Sequence, residues 1–174
     1  EVRAVALAQM DLHPGDVAWD VGAGSGSVAI EMAQLVAPGT VYAIEQDAAD
    51  FHLIVANAET FGVTNVKPVF GTAPAVFTGL PAPDAVFVGG GATGPLLDAC
   101  WAALAPGGRL VVHGVTVETE VLLHEMRGRL GGSMTRIAVE DLDTIGSLHG
   151  WRPARAIVQW SVEKAVPQGD SETD

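Results

Sequence analysis

Cysteine is almost absent from this chain: its 174 residues hold one, Cys100. A single thiol closes no disulfide within the chain and builds no cysteine-rich metal centre, and a reducing, cytoplasmic setting is the natural reading. Basic residues are scarce too, nine Lys and Arg against 21 Asp and Glu, for a formal net charge of −12. That balance repels the phosphates of nucleic acid, so no nucleic-acid partner is expected. No apolar run of about 18 residues or more occurs, so no membrane-spanning helix and no membrane partner are expected. No pair of histidines and no carboxylate cluster has metal-ligand spacing, so no metal is expected. The opening EVRAVALAQM lacks the basic start and small-residue cleavage site of a secretory signal. It reads as a helix entered partway, as if residues precede Glu1.

What the chain does have is apolar residues, 48% of the total, in a length that suits one domain. Short β-rich runs alternate with helical stretches. Strands are expected at 17–21, 40–45, 66–71, 84–90, 109–114, 133–142 and 154–163. Helices are expected at 3–10, 27–36, 47–61, 94–104 and 117–130. Regular alternation to about residue 130 predicts a mostly parallel sheet of seven strands with helices on both faces. The last two strands follow without a full helix between them, so the final strand is expected to run antiparallel. One domain over 1–164 is followed by a polar tail, 165–174, expected to be disordered.

The stretch WDVGAGSGSVAIE, 19–31, carries the strongest chemical signal. Asp20 ends the first strand, and Gly22, Ala23, Gly24, Ser25 and Gly26 form a loop before a helix. Glycines permit the tight turn, the approach of backbone to a ligand, and close packing of the helix. A dinucleotide fingerprint, Gly-x-Gly-x-x-Gly, would place its third glycine at 27, where Ser27 stands. A carboxylate beside the loop repels a pyrophosphate but suits the cationic methionine end of S-adenosylmethionine. The loop therefore tilts toward that cofactor; a nicotinamide dinucleotide and a plain strand–helix turn stay open at this point. Glu45, at the end of the second strand, would accept hydrogen bonds from ribose hydroxyls in either ligand. Gly71, Thr72 and Ala73 follow the third strand, where an adenine would lie. Gly89, Gly90 and Gly91 follow the fourth, Gly89 on the cofactor side and Gly90 and Gly91 where a large flat substrate would need bare backbone.

Taken together these residues resemble the class I S-adenosylmethionine-dependent methyltransferases, with their Rossmann-like fold. The resemblance narrows along the chain. EVRAVALAQMDLHPGDVAWDVGAGSGSVAIE, then FVGGG, then LAPGGRLVVHGVTVET, are similar to the CbiT family of cobalamin-pathway enzymes and to the C-terminal domains of the CobL-type precorrin-6Y C5,15-methyltransferases. It runs from Glu1 to about Lys164. Where this family places Ser or Thr after the paired glycines, the chain has a third glycine, Gly91. The resemblance implies methylation of carbon 15 of a precorrin tetrapyrrole and decarboxylation of its carbon-12 acetate, with S-adenosylhomocysteine as by-product. It also implies a homo-tetramer, and in fused relatives an N-terminal domain that methylates carbon 5.

Precorrins carry many carboxylates, and seven of the nine basic residues lie beyond residue 100. Arg152 and Arg155 flank Pro153 before the last strand, where they would bind substrate carboxylates in one protomer or its neighbour. His113 and Thr116, at the end of the fifth strand and in the loop after it, are candidates for proton delivery. Thr116 also fits a helix N-cap. Other readings are a methyltransferase of the same fold acting on RNA or another small molecule, an oxidoreductase, and a subunit that only scaffolds.

Overall fold

The computed structural model describes residues 1–167. Its main sheet has seven strands: β1 Val17–Val21, β2 Thr40–Glu45, β3 Val66–Phe70, β4 Ala85–Val88, β5 Arg109–Gly114, β6 Ser133–Ile137 and β9 Ile157–Glu163. They lie in the order β3-β2-β1-β4-β5-β9-β6. β1 to β5 are parallel, and β9 runs antiparallel to both β5 and β6. Strand order reverses between β1 and β4, the place where open α/β sheets bind ligands beyond their carboxyl ends.

Five helices cover the sheet: α1 Val2–Met10, α2 Ser27–Val36, α3 Ala48–Thr60, α4 Gly94–Ala103 and α5 Val117–Leu130. Period-2 alternation along the strands divides the interior into two cores. Trp19, Val21, Val86, Val88, Leu110 and Val112 face α4 and α5. Ala18, Ala43, Ala85, Phe87 and Val111 face α1, α2 and α3. Three alanines on that second face let its helices lie close to the sheet. Both sheet faces being covered, the central strands read as continuous apolar runs.

Helix ends follow local chemistry. Asp47 caps α3 by accepting from the amides of Ala49 and Asp50, and Thr93 caps α4. At α5, Thr116 is the cap, Glu118 and Glu120 sit in the first turn and Arg127 and Arg129 in the last, all matched to the helix dipole. Cys100 lies in the α4 core, where burial pushes its thiol up to about 12 and leaves it inert.

The end of the chain departs from expectation. The single strand expected over 133–142 is two, β6 and β7 Glu140–Ile145, and 148–153, outside every expected strand, forms β8 Leu148–Pro153. β7 and β8 form a separate antiparallel hairpin, joined across Gly146 and Ser147. Gly146 has φ +62°, the value a two-residue hairpin turn asks of its first position. These strands escaped notice because neither face is buried, so they carry no alternating pattern. β4 also ends at Val88, before the glycines that had been placed in it. The tail read from 165 lies, from residue 168, outside the described residues.

Candidate active site

A cavity of about 120 Å³ opens at the carboxyl ends of the central strands. Val21 and Gly22 line it from β1, and Ile44, Glu45 and Gln46 from β2. Gly71 and Ala73 follow β3, Gly90 and Gly91 follow β4, and Leu96 comes from the first turn of α4.

The glycine loop forms one wall. Gly22, Gly24 and Gly26 have φ of +71°, +53° and +79°, a left-handed series that side chains resist. At Gly26 a Cβ would also stand 3.2 Å from Ile54 of α3, so the third glycine seats the loop against that helix. The amides of Gly22 and Ala23 both donate to the Ile44 carbonyl, at 3.0 and 3.1 Å. Loop and β2 are thereby held as one unit.

Two carboxylates fix the rest of the loop. Glu45 is 7% exposed. Its Oε2 accepts the Gly24 amide at 2.8 Å, and its Oε1 accepts the amides of Gln46 and Asp47 at 2.8 Å each. Asp20 is buried on the opposite face of β1 from Val21, and its Oδ2 accepts the Ala29 amide at 2.9 Å, inside the first turn of α2. Burial, with a smaller push from Glu45, raises its carboxyl to about 7 against the pull of the Ala29 bond. A loop and helix start already answered by two carboxylates are poor ground for a pyrophosphate and good ground for a cation.

Of the residues singled out in the sequence, Gly22, Glu45, Gly71, Ala73, Gly90 and Gly91 meet at this cavity. Ala23, Gly24, Ser25 and Gly26 build its loop without lining it. Thr72 and Gly89 are exposed beside it, and a Cβ at Gly89 would press on Phe87. His113 is buried one strand away. Its Nε2 meets Gln159 Oε1 at 2.7 Å, and its ring stands edge-on to Phe87. Burial lowers its pKa, opposed by the Gln159 bond, which favours the neutral ring. Thr116 uses its hydroxyl to accept the Thr119 amide as the α5 cap. Arg152 lies on the hairpin, paired with Asp143 at 2.8 Å, and Arg155 is exposed at the hairpin's exit. Gln46, Val21, Ile44 and Leu96 had not been singled out. Gln46 was within reach of sequence reasoning as the residue just past a ligand-side strand end; the three apolar walls carry no motif.

A family model described as a precorrin methyltransferase domain matches residues 1–164. The chain belongs to the precorrin methyltransferase domain family. It is 42% identical over 167 residues to a precorrin-6Y C(5,15)-methyltransferase [decarboxylating] from Sinorhizobium sp., which covers 94% of this chain and 40% of that protein. A cobalt-precorrin-6B C(15)-methyltransferase (decarboxylating) from Salmonella typhi is 34% identical, over 94% of this chain and 86% of its own. The crystal structure of the C-terminal domain of precorrin-6Y C5,15-methyltransferase from Rhodobacter capsulatus superposes with a TM-score of 0.88 at 39% identity, covering 94% of this chain and 88% of that one. This precorrin methyltransferase domain thus spans less than half the length of the Sinorhizobium relative and most of the Salmonella one.

Proposed function

We propose that this domain methylates carbon 15 of a precorrin with S-adenosylmethionine as donor, and removes carbon dioxide from the acetate side chain on carbon 12. The observation that carries the reading is the pair of buried carboxylates, Asp20 and Glu45, bonded to the glycine loop and the start of α2. Their charge favours a ligand whose methionine end is cationic, and the ribose-side acid borders the cavity.

When bound, the cofactor supplies a methyl group that a ring carbon can displace from sulfonium. The residues' work is then alignment. Glu45 holds the ribose edge, Gly71 and Ala73 leave room for the base, and Asp20 sets the charge beneath the loop. Gly90 and Gly91 present bare backbone where a flat macrocycle can approach. In the decarboxylation, the bond from the acetate methylene to its carboxyl carbon breaks. Carbon dioxide leaves, the electron pair passes into the conjugated ring, and a proton completes the new methyl group. His113 and Thr116, at and after the end of β5, are the candidates for that proton; in the resting fold the His113 ring is tied to Gln159 and the Thr116 hydroxyl caps α5, so either would have to leave its partner to deliver it. S-adenosylhomocysteine is the second product.

A cytoplasmic, homo-oligomeric enzyme belongs to the same reading, alone or fused to a domain that methylates carbon 5. The test is mass spectrometry of a precorrin-6-type substrate incubated with the chain and S-adenosylmethionine without oxygen. Gain of one methyl with loss of one carbon dioxide supports the whole reading. Gain without loss leaves a C15-methyltransferase only. No change, with cofactor binding confirmed by calorimetry, leaves a methyltransferase of another small molecule.

A further inference from the structure

Asparagine is among the poorer helix formers, because its side chain competes for nearby backbone. Asn57 nevertheless stands inside α3, between Ala56 and Ala58. Its side chain bonds nothing in its own helix. Its Nδ2 donates to the carbonyl of Ser25 at 2.9 Å, 32 residues back along the chain. Ile54, one turn earlier on the same helix face, is fully buried and packs against Gly26. One face of α3 therefore meets the glycine loop at two adjacent residues, Ser25 and Gly26.

The loop's backbone donors have identifiable partners, with one exception. Gly22 and Ala23 donate to the Ile44 carbonyl, Gly24 to Glu45, and Gly26 to the Ala23 carbonyl at 2.9 Å. The Ser25 amide has no partner among the described residues. Its direction is set by the peptide planes on either side. Glu45 holds the plane before it, through the Gly24 amide, and Asn57 holds the plane after it, through the Ser25 carbonyl. A peptide unit is rigid, so a Ser25 carbonyl turned to α3 aims the Gly26 amide the opposite way, towards Ala23. Gly24 and Gly26, with φ of +53° and +79°, offer little steric resistance to turning these planes. Side chains outside the loop must therefore select its state.

We propose that Asn57 is a positioning residue of the cofactor site. It locks the Ser25–Gly26 peptide against α3 and thereby sets the direction of the Ser25 amide, the loop donor left for the ligand. Glu45 and Asn57 bracket that one amide, the first from the end of β2 and the second from α3. What the amide meets rests on the S-adenosylmethionine reading given above; the lock itself does not.

Hydrogen exchange and calorimetry on the chain and two variants test it. Asn57→Leu improves helix propensity and keeps much of the volume, but cannot donate. Asn57→Asp is nearly isosteric, and its carboxylate repels the Ser25 carbonyl. In the unliganded protein, the Gly26 amide followed by NMR is expected to exchange at least about tenfold faster in both variants, and to accelerate more than the amides of β5. S-adenosylhomocysteine affinity is expected to fall about 3- to 10-fold in Asn57→Leu, the scale of one neutral hydrogen bond, and further in Asn57→Asp. Equal acceleration of Gly26 and β5 would mark general destabilisation and overturn the lock. Unchanged exchange at Gly26 overturns it too, and unchanged affinity in both variants removes Asn57 from the cofactor site. A wild-type chain that binds no S-adenosylhomocysteine refutes the cofactor reading separately, and exchange at Gly26 then decides the lock alone.

Discussion

Glu45 Oε2 accepts the amide of Gly24 at 2.8 Å, so the acid that ends β2 holds the middle of the loop that follows β1. The bond joins two strand ends that both border the ligand cavity. Sequence pattern had given these residues separate tasks, a ribose acceptor and a turn glycine. In the fold they are one device: the carboxylate that would meet the ribose also sets the loop's height.

Truncation at Glu45 therefore removes three backbone bonds at once and, under the proposed function, the ribose contact as well. Glu45→Ala is expected to weaken S-adenosylmethionine binding about 100-fold, near 2.7 kcal/mol, the upper range for hydrogen bonds to a charged group. Glu45→Gln keeps an oxygen for one amide and should fall between that variant and the wild type. Isothermal calorimetry with all three chains measures this, and equal affinity in all three would remove Glu45 from the cofactor site.

Asp20 makes stability depend on pH. Its carboxyl is raised by burial from 3.8 to about 7, so the folded state holds its proton more tightly than the unfolded chain does. That stabilisation is present in full below pH ~4 and is lost as pH rises through about 7. Relative to Asp20→Asn, which cannot ionise, the wild type is expected to lose about 3 kcal/mol between pH 5 and pH 8. Urea titrations of both proteins at the two pH values give the difference directly. A cationic ligand favours the ionised form, so S-adenosylmethionine should bind the wild type more tightly as pH rises from 6 to 8, and S-adenosylhomocysteine less so.

The parts of the molecule that were legible share a physical feature: each is under a local constraint strong enough to mark the sequence. Covered strands must be apolar, as in VAWDV and RLVVHG; left-handed turns must be glycine, as at Gly22, Gly24 and Gly26. The orientation of Asp20 was not legible, because it depends on the pleat of β1, which turns Val21 to the cavity and Asp20 under α2. Neither was the hairpin, whose strands mix Glu140, Asp141 and Asp143 with exposed Leu142 and Ile145 and bury nothing within one chain. Apolar cavity walls such as Leu96 look like any core position until tertiary packing places them.

Lys164 ties the end of α4 to the end of β9. Its Nζ donates to the carbonyls of Trp101, Ala102 and Leu104, at 2.9, 3.3 and 2.6 Å. These are helix-end carbonyls without partners further along the chain, and a cation there also complements the dipole. Lys164→Met keeps most of the stem and removes the charge. A loss of about 1–2 kcal/mol in chemical denaturation is expected, with cofactor affinity unchanged, since the contact lies at the end of the sheet away from the cavity.

The His113–Gln159 pair separates a structural from a chemical contribution. His113 is 5% exposed, burial favours its neutral ring, and its 2.7 Å contact with Gln159 Oε1 is satisfied by the tautomer that carries its proton on Nε2. An Nε2–H held in that way is a poor acid for the decarboxylation, whereas the ring's edge-on contact with Phe87 supports the wall beneath Gly89. His113→Leu leaves the Gln159 amide buried without its partner and should cost about 2 kcal/mol; the double change with Gln159→Leu should cost less than the two single changes added. Methyl gain and carbon dioxide loss, followed together by mass spectrometry, are expected to fall by the same factor in His113→Leu, less than tenfold (about 1.4 kcal/mol). Methylation that persists while carbon dioxide loss stops would instead make His113 the proton source. The Gln159 bond would then have to break during turnover, and Gln159→Leu would speed the decarboxylation rather than slow it.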